Sequence, residues 1–293
     1  MAVQPRRLAT STPRPTSPPE AMRFPDFIIV GAMKSGTSTL RDLLTGRDDV
    51  FLPPGEVHFF SDDAKYAQGM GWYASLFASA NGAAAVGEKT PTYSYIPECA
   101  DRIRLHLPDV KLVWLFRDPV SRTYSHYWHS VKNGSERLSF RAAIESEPRR
   151  VATDRWRGYQ LRSMYAQQVE NYLRLFRSEQ MHFLLFEHLL KNPLRETNAL
   201  LAFLGVGPLA APPVLPRSNQ SFIPHIRTAQ WAIRRVFAQR TRPYQLLSRL
   251  NRRRDPGYPP LDGAMRARLR DEFREPNRRL AELTGLDLSS WEG

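Results

Sequence analysis

Three short apolar runs stand out along the chain: DFIIVG at 26–31, KLVWLFR at 111–117 and MHFLLFE at 181–187. None alternates apolar with polar positions, as a strand with one wet face would. Unbroken runs of this length suit strands buried on both faces of a parallel sheet. AAAVGEK at 83–89 predicts a weaker strand. Between the runs the apolar period lengthens, predicting helices at 37–45, 97–107, 193–204 (closed by Gly205) and 262–284. Another is predicted at 161–177, where Leu161, Met164, Tyr165, Val169, Tyr172 and Leu173 recur at helical spacing. Asp118-Pro119 opens one more, an N-cap aspartate followed by proline at the first helical position. Strands alternating with helices predict βαβ units, hence an α/β fold with helices on both faces of the sheet. Ligands of such sheets bind at the carboxyl ends of the strands. That puts residues 31–39, 88–90 and 117–125 on one rim.

Composition changes this picture in a few ways. With 42% hydrophobic residues in 293, the chain can bury a sizeable core. Residues 1–22, rich in Pro, Ser, Thr and Arg, are expected to be a disordered tail, and 23–293 a single domain. Within it, 208–256 reads as a Pro-rich and then Arg-rich loop and helix excursion, expected to act as a lid. The formal charge of +13 calls for an anionic partner. A GC-rich bacterial genome accounts for abundant arginine, so the six lysines (34, 65, 89, 111, 132 and 191) are the more informative cations. The lone Cys99 cannot form an internal disulfide, which fits a reducing, cytoplasmic setting. No stretch approaches 18 consecutive apolar residues, and no apolar segment follows the N-terminal arginines, so neither a membrane span nor a signal peptide is expected.

The chemistry begins at the first strand. GAMKSGTS places Gly31, Gly36 and Ser38 at the positions of the phosphate-binding pattern G-x-x-x-x-G-K-[ST], but Thr37 replaces the lysine and Lys34 lies three positions upstream. A glycine loop running into a helix N-terminus offers backbone amides and a favourable dipole to an anion. Thr37, Ser38 and Thr39 add hydroxyls, and Lys34 adds a charge. Without the Gly-Lys-[ST] element or a clear acidic Mg²⁺ ligand, the loop is a poor ATPase site.

Two further segments complete the rim. Arg117 ends a strand, where its forked donors suit a phosphate, with Ser125 two helical turns on. Arg122 between them reads as a surface residue, and Asp118 as a cap. In GEVHFFSDD, Glu56 and His58 would face one side if extended, beside two phenylalanines. Partial desolvation there is expected to raise the glutamate's pKa and suit it to general-base work.

KSGTSTL, E-V-H-F-F, E-K-T-P and R-D-P-x-x-R-x-x-S, in this order, resemble the sulfotransferases that use 3′-phosphoadenosine 5′-phosphosulfate (PAPS), most closely the branch that includes heparan sulfate sulfotransferases and bacterial relatives. The resemblance runs from about Phe24 to Trp291 and implies a P-loop-like three-layer sandwich with a central, mostly parallel sheet. It implies that Lys34, Ser35, Gly36, Thr37, Ser38 and Thr39 bind the donor's 5′-phosphate, with Lys34 also neutralising charge on the breaking S–O bond. Arg117 and Ser125 would hold the 3′-phosphate. Glu56 would be the base, assisted by His58, with Lys89 lining the reaction centre. Arg252, Arg253 and Arg254 fall near the family's basic loop over the donor, though its K-G-R pattern is missing. FEHL at 186–189 departs from R-Y-E-D-L, a change expected to affect strand packing rather than chemistry. PAPS is then the co-substrate, with no metal. The acceptor is a hydroxylated carbohydrate, lipid or specialised metabolite, and the oligomeric state is left open.

Two other classes fit parts of the chain. A P-loop NTPase or small-molecule kinase would share the fold but require Mg²⁺-dependent ATP binding. A nucleic-acid-binding protein would use the nine arginines between 227 and 254, interleaved with Trp231, Phe237 and Tyr244. With no nucleic-acid motif present, no nucleic-acid partner is expected. A helix at 229–240 lying on a membrane or lipid-like acceptor is a third possibility.

Overall fold

Five parallel strands form the central sheet in a computed structural model that describes residues 22–80, 82–215, 223–239, 241–253 and 257–292. Across the sheet they run β2 (Val50–Phe51), β3 (Ala85–Lys89), β1 (Phe27–Gly31), β4 (Lys111–Phe116) and β5 (Met181–Leu185). The described helices are α1 (Thr37–Leu44), α2 (Asp63–Tyr66), α3 (Gly69–Ser75), α4 (Pro97–His106), α5 (Pro119–Lys132), α6 (Phe140–Glu145), α7 (Glu147–Arg150), α8 (Tyr165–Leu173), α9 (Phe186–Lys191), α10 (Pro193–Leu204), α11 (Arg227–Val236), α12 (Arg242–Leu250) and α13 (Gly263–Thr284). The tail expected at 1–22 lies, apart from Met22, outside the described residues.

The strands are apolar throughout because each is covered on both faces. On β1, Ile28 and Val30 join Trp114, Phe116 and Tyr172 in one core, while Phe27 and Ile29 join Leu40, Val113 and Leu200 in another. Helices α3, α4 and α8 build the first layer, and α1, α9 and α10 the second, giving the expected three-layer sandwich. Gly87 lies opposite Phe27 in the β1–β3 register, where a Cβ would come within 2.3 Å of the phenylalanine ring.

Two local expectations are corrected, and one strand was not foreseen. The strand predicted to run to Glu187 ends at Leu185, and FEHL is the first turn of α9. The helix predicted from 161 starts at Tyr165; residues 161–163 form a 3₁₀ turn that carries Arg162 inward, 2% exposed. The two-residue β2 is too short to leave a periodic signal. In the excursion, α11 and α12 pack on each other through Gln230, whose Nε2 donates to Ser248 Oγ at 2.9 Å. No described helix is long and apolar enough to cross a membrane.

Candidate active site

The loop between β1 and α1 is shaped by two residues in the left-handed region, Lys34 (φ 73°) and Gly36 (φ 95°). Gly36 has a second constraint: a Cβ would lie 2.4 Å from the Phe186 ring. FEHL, expected to matter only for strand packing, therefore touches the loop. Glu187 Oε1 also accepts the Asp118 amide at 3.0 Å. Ser35 and Thr37 are buried, and α1 starts at Thr37, with Ser38 and Thr39 in the first turn, whose amides have no partner within a helix. Among the described non-glycine residues, only Lys34 and His58 have positive φ. Both were singled out by sequence for chemistry, and strained backbone gathers at such sites.

Cations converge on this loop. Burial lowers the Lys34 pKa to about 8, helped by the like charges of Lys132, Arg117 and Arg122; Glu56 alone opposes them. Arg117 Nη1 reaches the Lys34 carbonyl at 3.5 Å, its guanidinium lying over Phe186. Arg122, read from sequence as a surface residue, is fully buried. It donates to Ser163 Oγ at 2.6 Å, to the Met33 carbonyl at 3.3 Å and to the Tyr159 carbonyl, so it props the loop from below. Asp118 is a cap, accepting from the Val120 and Ser121 amides. Ser125 is buried on α5, with His129 and Lys132 one and two turns on. His129 is pushed down to about 3 by burial and by Lys34 and Lys132.

Sequence reasoning took Arg122 for a surface residue, gave Lys132 no place at the site and passed over His129. The signal was their spacing: with Ser125 they recur every three or four residues, one face of a helix. Arg252 lies close enough to Lys132 to help burial lower that lysine's pKa. Arg253 is tied in by its backbone, which donates to the Ile223 carbonyl at 2.9 Å, and Arg254 lies outside the described residues.

Glu56, His58 and Lys89 do come together. Lys89 Nζ lies 2.8 Å from Glu56 Oε1 and 3.3 Å from Ser38 Oγ, and His58 Nε2 lies 3.2 Å from Glu56 Oε2. Lys89, 4% exposed, thus joins the carboxylate to the loop. The raised Glu56 pKa expected from desolvation is not found. Burial pushes the carboxyl up, but the His58 and Lys89 bonds outweigh it and leave it at about 2.

Beneath this group, Glu88 and Thr90 form a layer that the sequence did not reveal. Glu88 is fully buried and accepts hydroxyl hydrogen bonds from Tyr73, Tyr93 and Thr90. Two cavities open beside the site. One of about 500 Å³ is lined by Met33, His129, Trp156, Arg157 and Trp231; the other, of about 710 Å³, by His58, Ser61, Thr92, Arg102 and Trp156. Trp156 and Asp154 border both, so the two cavities share a wall.

The sulfotransferase domain family matches residues 24–220. Human heparan sulfate glucosamine 3-O-sulfotransferase 6 is 30% identical over 286 residues, 95% of this chain and 79% of that protein. The human 3A1 enzyme is 28% identical over 272 residues, 92% of this chain but 63% of its own length. The chain thus spans less than two thirds of the latter relative. A crystal structure of a sulfotransferase from Alicyclobacillus acidocaldarius matches at TM-score 0.70 and 27% identity, over 92% of this chain and 100% of that one. The sulfotransferase domain of a Synechococcus PCC 7002 olefin synthase, at TM-score 0.50 and 18% identity over 93% of this chain and 98% of its own, shares the fold. A buried parallel sheet, a lysine-bearing glycine loop and a family match over most of the chain lead to one assignment: the chain belongs to the PAPS-dependent sulfotransferase family and resembles its heparan sulfate branch.

Proposed function

We propose that this protein transfers the sulfuryl group of PAPS to a hydroxyl of an acceptor by in-line displacement. The observation that carries this reading is the charge imbalance at the loop. Lys132, Arg117 and Arg122 all act on Lys34 there, with Glu56 the acidic group that offsets them. Such a cluster is costly when empty and suits a ligand with several negative charges. The 34–39 loop would hold the 5′-phosphate, and Arg117 with Ser125 the 3′-phosphate.

The bound donor supplies an activated S–O bond. Lys34 places its ammonium against the bridging oxygen, where negative charge grows as that bond breaks. Glu56 takes the acceptor's proton. With Lys89 and His58 both bound, a carboxylate at about 2 is a weak base. Lys89 also contacts Ser38, so an anion at the loop draws its ammonium off Glu56. Burial then raises the carboxyl's basicity when donor is present. His58 keeps the carboxylate oriented through Nε2, while its Nδ1 faces Ser61 Oγ at 3.3 Å. The cavity beside His58, walled by Trp156, supports an acceptor with a ring face to stack there. A carbohydrate fits this, in keeping with the glucosamine substrate named for the relatives. The described part of the 208–256 excursion, with Arg252 and Arg253, would cover the donor.

The test is incubation with ³⁵S-labelled PAPS and a panel of glycan, lipid and phenolic acceptors, with mass spectrometry for the gain of one sulfate. Adenosine 3′,5′-bisphosphate should protect the protein against heat, and Mg²⁺-ATP should not. Protection by Mg²⁺-ATP alone, without sulfate transfer, would refute the reading.

A further inference from the structure

Glu88 takes no part in the chemistry above, yet its surroundings are fully specified. It lies in β3 one residue before Lys89, which ends the strand, and is 0% exposed. Tyr73 Oη donates to its Oε1 at 2.8 Å, Tyr93 Oη to the same oxygen at 3.2 Å, and Thr90 Oγ1 to Oε2 at 2.9 Å. A hydroxyl has one proton and two lone pairs. With its proton committed to Glu88, the Thr90 oxygen turns its lone pairs toward the amides of Val57 and His58, which donate to it at 3.1 and 3.2 Å. Those amides belong to the turn that carries Glu56 and His58. There His58 holds φ at 59°, a conformation that costs free energy for any residue with a Cβ.

We infer that Glu88 and Thr90 are positioning residues of the sulfuryl transfer, fixing the 56–58 turn so that Glu56 lies against Lys89 and faces the acceptor. This rests on Glu56 being the base. The direction of one hydroxyl is what the arrangement controls. A carboxylate at position 88 only accepts, so Thr90 must donate to it and stays free to accept both amides. An amide at that position would keep the two tyrosines on its oxygen and turn its NH₂ toward Thr90. Three donors would then compete for two lone pairs, and one amide of the turn would lose its partner.

A proton on Glu88 has the same effect as the amide. Burial raises its pKa to about 7 despite the three hydroxyls. The ionisable groups facing it are Tyr73 of α3, Tyr93 of the turn after β3, Cys99 of α4, Tyr172 of α8 and His58 of the turn itself. The turn is therefore held above about pH 7 and loosened below it.

The decisive variant is Thr90→Val, which keeps the shape and removes the acceptor; Thr90→Ser restores the hydroxyl. Turnover is read as adenosine 3′,5′-bisphosphate released from PAPS, with heparan sulfate as the acceptor probe. Bisphosphate affinity comes from calorimetry, and amide exchange is followed on the 54–60 peptide by mass spectrometry. For Thr90→Val we expect roughly tenfold faster exchange and kcat lower by about 10–100-fold. Bisphosphate Kd should stay within about twofold, and Thr90→Ser should behave like wild type. Glu88→Gln should lower kcat likewise and lose the wild-type fall in kcat below about pH 7; it serves equally if Thr90→Val does not fold. In a Glu56→Gln background, Thr90→Val should cost no further kcat, because both act through one group. An impaired Glu56→Gln beside a fully active Thr90→Val would remove this proposal alone. Glu56→Gln with wild-type turnover would remove the base reading and the proposal with it.

Discussion

Lys34→Met replaces the loop's ammonium by an uncharged chain of similar length, and the consequences divide between stability and function. Burial and three neighbouring cations lower the Lys34 pKa from 10.5 to about 8. At about 1.4 kcal/mol per pKa unit this corresponds to roughly 3 kcal/mol, trimmed to roughly 2–3 because the loop is partly open to water. The sign follows from proton counts. Below pH 8 the lysine is charged in both folded and unfolded chains, and the folded state bears the whole penalty. Between 8 and 10.5 the unfolded chain holds the extra proton, so wild-type stability rises with pH and the penalty vanishes. Lys34→Met should therefore stabilise the free protein at pH 7 by roughly 2–3 kcal/mol, a Tm increase of about 3–5 °C for a chain of this size. The gain should shrink toward zero as pH approaches 10.5. Bisphosphate binding and turnover should fall, since the same charge is needed at the donor. Calorimetric scans at pH 7, 8.5 and 10, with and without adenosine 3′,5′-bisphosphate, measure all of this. A variant no more stable than wild type at pH 7, or one whose advantage ignores pH, would refute the claim that like charges are confined at the loop.

Gly36→Ala meets both the positive φ and the Phe186 ring at 2.4 Å; it should cost about 2 kcal/mol and weaken bisphosphate binding. Adding Phe186→Ala should recover only part of this in chemical unfolding, because φ is unchanged; full recovery would mean that the clash was the whole effect. Arg117→Ala should weaken adenosine 3′,5′-bisphosphate by roughly 10–100-fold and leave 5′-AMP nearly unaffected in calorimetry. Equal losses for both nucleotides would remove the 3′-phosphate assignment. Arg122→Ala should destabilise the fold by about 2–4 kcal/mol, because it empties the space of a buried guanidinium, takes the donor from Met33 O, and leaves Tyr159 O and Ser163 Oγ only the Thr123 hydroxyl as donor. Arg122→Lys should not rescue it, since an ammonium cannot reproduce the guanidinium fork; a fully stable lysine variant would contradict that account.

The sequence by itself determined the layers and the rim. Continuous apolar runs at 26–31, 111–117 and 181–187 suit strands covered on both faces, and β1, β4 and β5 are so covered. Local rules also settled the glycine loop and the Asp118 cap, because their partners lie within a few residues. What only the tertiary structure decided depends on partners far apart in the chain. Glu56 meets Lys89 33 residues away, and this bond together with the local one from His58 reverses the pKa shift that burial alone would produce. Arg122 is drawn inward by carbonyls at Met33 and Tyr159, 89 and 37 residues distant, so a side chain that reads as surface becomes the prop beneath the loop. The left-handed backbone at Lys34 and His58 runs against local preference and is held by contacts such as those from Thr90. Periodicity and caps record where apolar surface goes. They do not record which charge meets which, and at this site that pairing sets the chemistry.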